Sequence, residues 1–220
     1  MWPDPRATDD EGLVGFGADL AVETLVDAYR HGIFPWPCDG VPLPWFSPSP
    51  RAVIEVGSAH VSRTLRRHLR ACGWHTTVDV DVAAVVAGCA DRPSGEPSWI
   101  TRPMRRAYEN LARRGWAHSL EVWDGPTLVG GIYGVRVGAC FTGESMFGRV
   151  PAASKVALVD LVARWGEAGG AFVDAQLPTA HLTTMGAVAL DRDVFLDRLA
   201  AVRDEAVLVS RARLAVSRLA

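Results

Sequence analysis

Between Ala117 and Phe147 apolar and polar residues alternate in three runs: Leu120-Glu121-Val122, then Leu128-Val129 through Val135, then Ala139 to Phe141, with Asp124-Gly125 a turn signal after the first. This pattern predicts an antiparallel meander. Successive side chains of an extended segment face opposite sides, so Glu144 and Met146 are expected on one face and Ser145 and Phe147 on the other. An edge strand leaving the core and a site both fit Gly143-Glu144-Ser145-Met146-Phe147 equally well. Further strands are predicted at 52–56, 74–78, 171–173 and 188–190. Helical spacing recurs in short stretches: Val22, Leu25, Val26 and Tyr29 after Asp19, stopped by Gly32; Val61, Leu65 and Leu69; and Met104, Tyr108 and Leu111 behind a Thr101 cap and Pro103. Val156, Leu158, Leu161, Val162 and Trp165 make another, ended by Gly169-Gly170, and Asp191 starts the helix holding Phe195, Leu196 and Leu199. Short helices are expected over 79–90 and 178–186. Strands and helices interleaved in this way predict a mixed α+β fold.

Three stretches escape both periods. The acidic, proline-punctuated first ten residues read as a loosely held tail. Residues 33–50 interleave proline with Phe34, Trp36, Trp45 and Phe46; proline denies them helix and central-strand pairing, leaving a rigid aromatic loop that suits either a binding wall or a lid over the core. Asp91 to Ser98 reads as a loop, and the chain beyond Ala206 as irregular or a last helix. The division expected is a small N-terminal αβ domain over 1–57 and a larger domain over 58–220.

Composition narrows the class. The 220 residues are 49% hydrophobic and 22% charged, enough apolar material for a substantial core. A net charge of -2 gives the whole molecule neither a nucleic-acid field nor a membrane preference, so an anionic partner needs a local patch. Cys38, Cys72, Cys89 and Cys140 lack paired spacing, which argues against a zinc site or disulfide framework and for reduced thiols in cytoplasm. Neither a leader nor a membrane-spanning run is expected.

Charge patterning supplies the patch. Arg63, Arg66, Arg67 and Arg70 occupy one predicted helix without an acid among them; Arg102, Arg105, Arg106, Arg113 and Arg114 occupy another, opposed only by Glu109. A solvated face is the plain reading of either helix. Two basic helices in an acidic chain argue for a polyanion that planar guanidinium groups can track. Ala171-Phe172-Val173 then delivers Asp174-Ala175-Gln176, placing Asp174 and Gln176 on one face at the end of a buried strand, where sheet proteins tend to place ligands; a turn role for Asp174 is the alternative.

Taken together, the motifs resemble the bacterial leucyl/phenylalanyl-tRNA–protein transferases. Tyr29-Arg30-His31-Gly32-Ile33-Phe34-Pro35-Trp36, Trp45-Phe46-Ser47-Pro48, Pro50-Arg51 and Trp99-Ile100 carry the resemblance, followed by His118 to Trp123, Gly130 to Val135, Phe141 to Phe147, Ala153-Ser154-Lys155, Asp174-Ala175-Gln176 and His181-Leu182. The resemblance implies an acetyltransferase-like (GNAT) second domain with a mainly antiparallel sheet. It implies transfer of Leu or Phe, and less readily Met, from aminoacyl-tRNA to proteins with N-terminal Arg or Lys, marking them for degradation, by a monomer with no metal, cofactor or nucleotide. Phe46, Gly148, Ile132 and Thr183-Thr184-Met185 depart from the family pattern and bear on side-chain preference rather than on the reaction.

The chemistry this implies is undemanding. Aminoacyl-tRNA is already an activated ester, and an α-amino group with a pKa of about 7.7–8.0 is neutral in roughly a tenth of molecules at pH 7, a cost of about 1.4 kcal/mol. Orientation can contribute on the order of 7–11 kcal/mol, so positioning should dominate. On this basis Asp174 is expected to hold the Gln176 amide in one orientation, Gln176 to position the amine, and Glu144 to pair with the cationic acceptor terminus. Resemblance and position nominate Trp45, Trp99, Ile132, Phe141, Met146, Phe147, Ser154 and Trp165 for substrate binding. Arg63, Arg66, Arg67, Arg70, Arg105 and Arg106 are nominated for the tRNA phosphates. Two other classes remain open: an acyl-CoA-dependent N-acyltransferase acting on a small amine, against which stands the absence of a glycine-rich pyrophosphate cradle, and a non-catalytic binder of tRNA ends.

Overall fold

The computed structural model describes residues 2–91 and 98–220, so residues 92–97 of the predicted loop lie outside it. A small sheet orders β1 (Leu13–Phe16), β3 (Pro44–Phe46) and β2 (Phe34–Pro35). The large sheet has eight strands, in the order β10 (Val188–Leu190), β4 (Arg51–Glu55), β9 (Phe172–Gln176), β8 (Cys140–Gly148), β7 (Thr127–Val137), β6 (Ala117–Asp124), β5 (His75–Val78) and β11 (Leu214–Ala215). All its pairings are antiparallel except β8 with β9. A parallel pair needs a crossover, which α5 (Ala153–Glu167) provides. The mixed α+β class and mainly antiparallel sheet are those the sequence predicts.

Helices cover both faces. Leu25 and Tyr29 of α1 (Val22–Arg30), Val85 and Val86 of α3 (Val82–Ala90), Met104, Tyr108 and Leu111 of α4 (Arg102–Arg113) and Phe195 of α7 (Arg192–Val202) share one core with Tyr133, Val135 and Val137 of β7. Leu65 and Leu69 of α2 (Arg63–Ala71) and Val156 to Trp165 of α5 form the other, with Leu120, Val122 and Ile132. The alternation of Ile132 and Tyr133 between these cores is the period-2 pattern of a strand covered on both faces. Thr101 caps α4 through Met104 N–H and Ser62 caps α2 through Leu65 N–H.

Three expectations are corrected. Residues 33–50 do enter a sheet: Pro35 ends the two-residue β2 and Pro44 begins β3, so each missing N–H falls at a strand terminus. The N-terminal residues are docked. Arg6 pairs with Asp197 at 2.5 Å, and the buried Arg192 donates to the carbonyls of Thr8, Asp9 and Ser47. Finally, β8 is not a uniform strand. Tyr133 is opposite Ser145 but Gly134 is opposite Gly143, which makes Glu144 the extra residue of a β-bulge. Glu144 therefore turns to the α4 side while Met146 stays with Ile132 on the α5 side, rather than the two sharing a face.

Candidate active site

The site begins with a buried ion pair. Arg51, which opens β4, donates Nε to Asp174 Oδ1 at 2.8 Å and a terminal nitrogen to Oδ2 at 2.7 Å, with a further bond to the Gly32 carbonyl. Its guanidinium lies over the rings of Phe34 and Phe195, 4.8 and 4.5 Å from their centroids. Thr142 Oγ1 adds a donor to Asp174. Both partners are essentially unexposed, and bidentate geometry with the remaining lone pairs filled is the condition under which a buried pair offsets its desolvation.

Asp174 also accepts the backbone N–H of Gln176 at 3.0 Å. Gln176 has φ +61°, a left-handed conformation that costs a non-glycine residue on the order of 1–2 kcal/mol, and it is held there by that bond and by its side chain. The amide Nε2 donates to Glu144 Oε1 at 2.9 Å. The expected contact between Asp174 and the Gln176 amide is thus corrected: Asp174 fixes the Gln176 backbone, and Glu144 fixes its amide. The αL turn at the end of β9 breaks the alternation that would have put the two side chains on one face.

Burial raises the Glu144 pKa to about 7, against the lowering effect of hydrogen bonds from Tyr108 and Tyr29 and with a smaller raising contribution from Asp174. Tyr108 OH donates to its Oε2 at 2.6 Å, and Tyr29 OH lies 2.8 Å from Tyr108 OH. Because Tyr108 spends its proton on Glu144, Tyr29 is the donor in the second bond. Burial, then the neighbouring Glu144 charge, pushes the phenols of Tyr29, Tyr108 and Tyr133 up, so all three remain protonated. Sequence reasoning missed this chain. Tyr29 and Tyr108 looked like ordinary inward positions of amphipathic helices, and the one signal was that the inward residue at both was tyrosine rather than leucine.

Glu144 and Gln176 open on a hollow of about 360 Å³ walled by Trp36, Trp99, Ile132, Met146, Leu158, Val173 and Leu182. Trp36 stacks on Trp99 with centroids 5.3 Å apart, joining the proline-aromatic stretch to the segment before α4. Three nominated residues, Trp99, Ile132 and Met146, therefore lie together with Glu144 and Gln176, while Asp174 stands behind the wall. The remaining five lie elsewhere. Trp45 is buried under the small sheet, donating its indole N–H to the Gly17 carbonyl. The Phe147 ring points to α3, occupying the space a Cβ on Gly88 would need. Ser154 sits in the first turn of α5 beside Gly148. Phe141 and Trp165, in edge-to-face contact at 5.4 Å, line a second, separate hollow. His181, on α6 (Ala180–Thr184), is exposed.

The nominated cations divide by face. Arg63, Arg66, Arg67 and Arg70 are exposed on α2, and among the described residues none has an acidic partner. Arg105 is half-buried and Arg106 exposed on α4, across the sheet. Each helix starts near the hollow: α4 follows Trp99, and the approach to α2 bonds to the end of α6, His60 N–H to the Met185 carbonyl. Among the described residues no helix is long and apolar enough to cross a membrane.

An apolar slot that ends in an oriented amide and a carboxyl raised into the neutral range is built to hold two substrates against each other so that they are joined directly. The sequence profile of the leucyl/phenylalanyl-tRNA protein transferases matches residues 53–200, and that of their N-terminal domain residues 18–49. Curated relatives named leucyl/phenylalanyl-tRNA–protein transferase include one from Ectopseudomonas mendocina, 48% identical over 87% of this chain and 85% of its own length. The relative from Xanthomonas campestris pv. campestris is 47% identical over 87% of this chain and 78% of that one, and the relative from Pseudomonas paraeruginosa 46% identical over 92% and 90%. The chain belongs to the leucyl/phenylalanyl-tRNA–protein transferase family. Among solved structures, L-PGS from Bacillus licheniformis is a loose likeness, with TM-score 0.44 and 10% identity over 72% of this chain and 51% of that one.

Proposed function

We propose that this chain transfers leucine or phenylalanine, and less readily methionine, from aminoacyl-tRNA to the α-amine of proteins beginning with Arg or Lys, in the cytoplasm and as a monomer. The reading is carried by one arrangement: Gln176, its Nε2 committed to Glu144 and its Oε1 without a hydrogen-bond partner among the described residues, lines the same hollow that Trp99, Ile132, Met146 and Leu158 make apolar. The aminoacyl side chain enters the apolar slot with its ester carbonyl beside Gln176. A neutral acceptor amine donates an N–H to Gln176 Oε1, its lone pair attacks the carbonyl carbon, the amide C–N bond forms and the ester C–O bond breaks. The amine's surplus proton goes to the departing ribose oxygen of the tRNA. Glu144, half-ionised near neutrality, takes the proton that the acceptor's ammonium group sheds to become the neutral amine, and its charge favours a cationic terminus at the mouth.

Positioning dominates this chemistry because the ester brings its own activation. Asp174 and Arg51 hold the Gln176 backbone without touching substrate. The exposed arginines of α2, with Arg105 and Arg106 of α4, hold the acceptor stem through its phosphates, since a stem offers little readable base pattern. The division into a small unit over 1–57 and a larger one over 58–220 enters the same reading, with the aromatic stretch of the first, through Trp36, closing a slot built by the second.

The test is incubation with radiolabelled Leu-tRNA and peptides beginning with Arg, Lys, Asp or Ala. Label is expected on the first two alone; label on none, with tRNA bound normally, would leave a tRNA-end binder. Gln176→Ala is expected to lower kcat about 100-fold, the scale of a misplaced reactant, with the tRNA Kd unchanged. An unchanged kcat would remove Gln176 from the reaction.

A further inference from the structure

A second hollow, of about 210 Å³, lies under the far end of α5, beyond the slot just described. Its walls are Val78, Phe141, Leu161, Trp165 and Val207, each less than a tenth exposed, and the irregular segment through Leu208, Val209 and Arg211 forms its outer side. An apolar cavity of about 150 Å³ accommodates benzene, so this one has room for a phenyl or isobutyl group with a few polar atoms beyond it.

The polar side of the hollow is unusual in what it leaves unmet. Asp79, at φ +56° in the left-handed region, accepts from His118 Nδ1 at 2.8 Å, from the Ser119 backbone N–H at 3.0 Å and from Arg211 at 2.8 Å. His118 Nε2 is buried without a partner, and in the tautomer that gives Nδ1–H to Asp79 it is free to accept. A buried polar atom without a partner costs free energy that a bound group can recover. On β7, two residues beyond the Gly134 that pairs with His118, Arg136 lines the same hollow; it is half-buried, and among the described residues its guanidinium has no hydrogen bond and no counter-ion. One wall thus lacks a donor, another lacks an anion, and the base is apolar.

We propose that this hollow binds a free apolar α-amino acid of the leucine or phenylalanine class, as the zwitterion. The carboxylate pairs with Arg136, the ammonium donates to His118 Nε2 beside the Asp79 charge, and the side chain stands on Phe141 and Trp165. Phe141 and Trp165, two of the nominated aromatic residues that lie away from the transfer slot, acquire a role here. Phe141 is two residues from the glycine that opens the β8 bulge, so occupancy bears on the strand that aims Glu144.

Isothermal titration of the full chain with L-leucine and L-phenylalanine tests the site, with 3-phenylpropanoate and 2-phenylethylamine as probes lacking the ammonium and the carboxylate. One-to-one binding with a sub-millimolar Kd is expected, at least about tenfold weaker for either truncated probe. Arg136→Gln is expected to weaken it about 10- to 100-fold and Val207→Trp, which fills the hollow, to abolish it. Trp99→Ala in the transfer slot should leave it intact. If circular dichroism shows Val207→Trp misfolded, Arg136→Gln decides alone. Absence of saturation up to about 10 mM, equal binding of a truncated probe, or loss of binding in Trp99→Ala would each overturn the proposal.

Discussion

At the scale of single residues, burial decides which groups are charged. Glu144 in the folded chain keeps its proton up to about pH 7, against an ordinary value of 4.5. Below that ordinary value both folded and unfolded chains hold the proton. Between the two values only the folded chain does, so the stability associated with Glu144 is lost as pH rises from about 4.5 to 7, at up to about 1.4 kcal/mol per pH unit. Glu144→Gln should flatten that segment of a stability–pH curve from denaturant titrations and remove the limb of the transfer-rate profile near pH 7; a variant that retains both features would reassign the titration. Arg51 shows the opposite balance. Removing it strands Asp174 as a buried unpaired charge, so Arg51→Ala is expected to lose about 3–5 kcal/mol in urea unfolding, while a loss below about 1 kcal/mol would mean the pair is more hydrated than its exposure implies.

At the scale of elements, the extra residue in β8 is what aims the carboxyl. Gly134 faces this bulge because a Cβ there would collide with the Thr142 carbonyl and the Phe141 ring. Gly134→Ala should therefore cost about 1–3 kcal/mol and depress transfer more than tRNA affinity, since the backbone that must yield is the one carrying Glu144. The basic helices act through charge alone. Arg66→Ala with Arg70→Ala is expected to weaken tRNA binding and to shallow the dependence of log K on log salt by about one for each phosphate left without its arginine. An unaltered slope would take α2 out of the interface. The slot discriminates by shape: a methylene is worth only about 1–3 kcal/mol, so Leu, Phe and Met should differ in kcat/KM by tens-fold rather than thousands-fold.

At the scale of the molecule, the N-terminal residues are part of the structure. Arg192 depends on the carbonyls of Thr8 and Asp9, so deletion of residues 2–10 leaves a buried guanidinium short of acceptors. A fall in Tm of several degrees is expected, about 2–4 °C for each kcal/mol in a chain of this size. Most of the architecture was legible in advance, because it rests on local periodicity: the meander, the helix through Leu65 and Leu69, the Thr101-capped helix through Met104, Tyr108 and Leu111, and the strand through Phe172 and Val173 follow from spacing and that cap. Trp99, Ile132, Met146, Glu144 and Gln176 were also legible as neighbours, through motifs that the resemblance tied together. What the linear pattern misassigned shares one cause. Phe141 and Trp165 look no different from slot residues in sequence, and only the packing of α5 on the sheet assigns them to another hollow. The Arg51 to Asp174 pair joins positions 123 residues apart, and the tyrosines on Glu144 come from two helices on the far side of the sheet. Local spacing set most of the elements, their order and the chemical inventory, since these depend on neighbours within a turn or a strand; the strands of the small sheet escaped it. Which carboxyl stays protonated, which amide is held, and which face Glu144 takes were decided by tertiary structure, because desolvation, pairing and a one-residue bulge exist only once distant segments have closed around them.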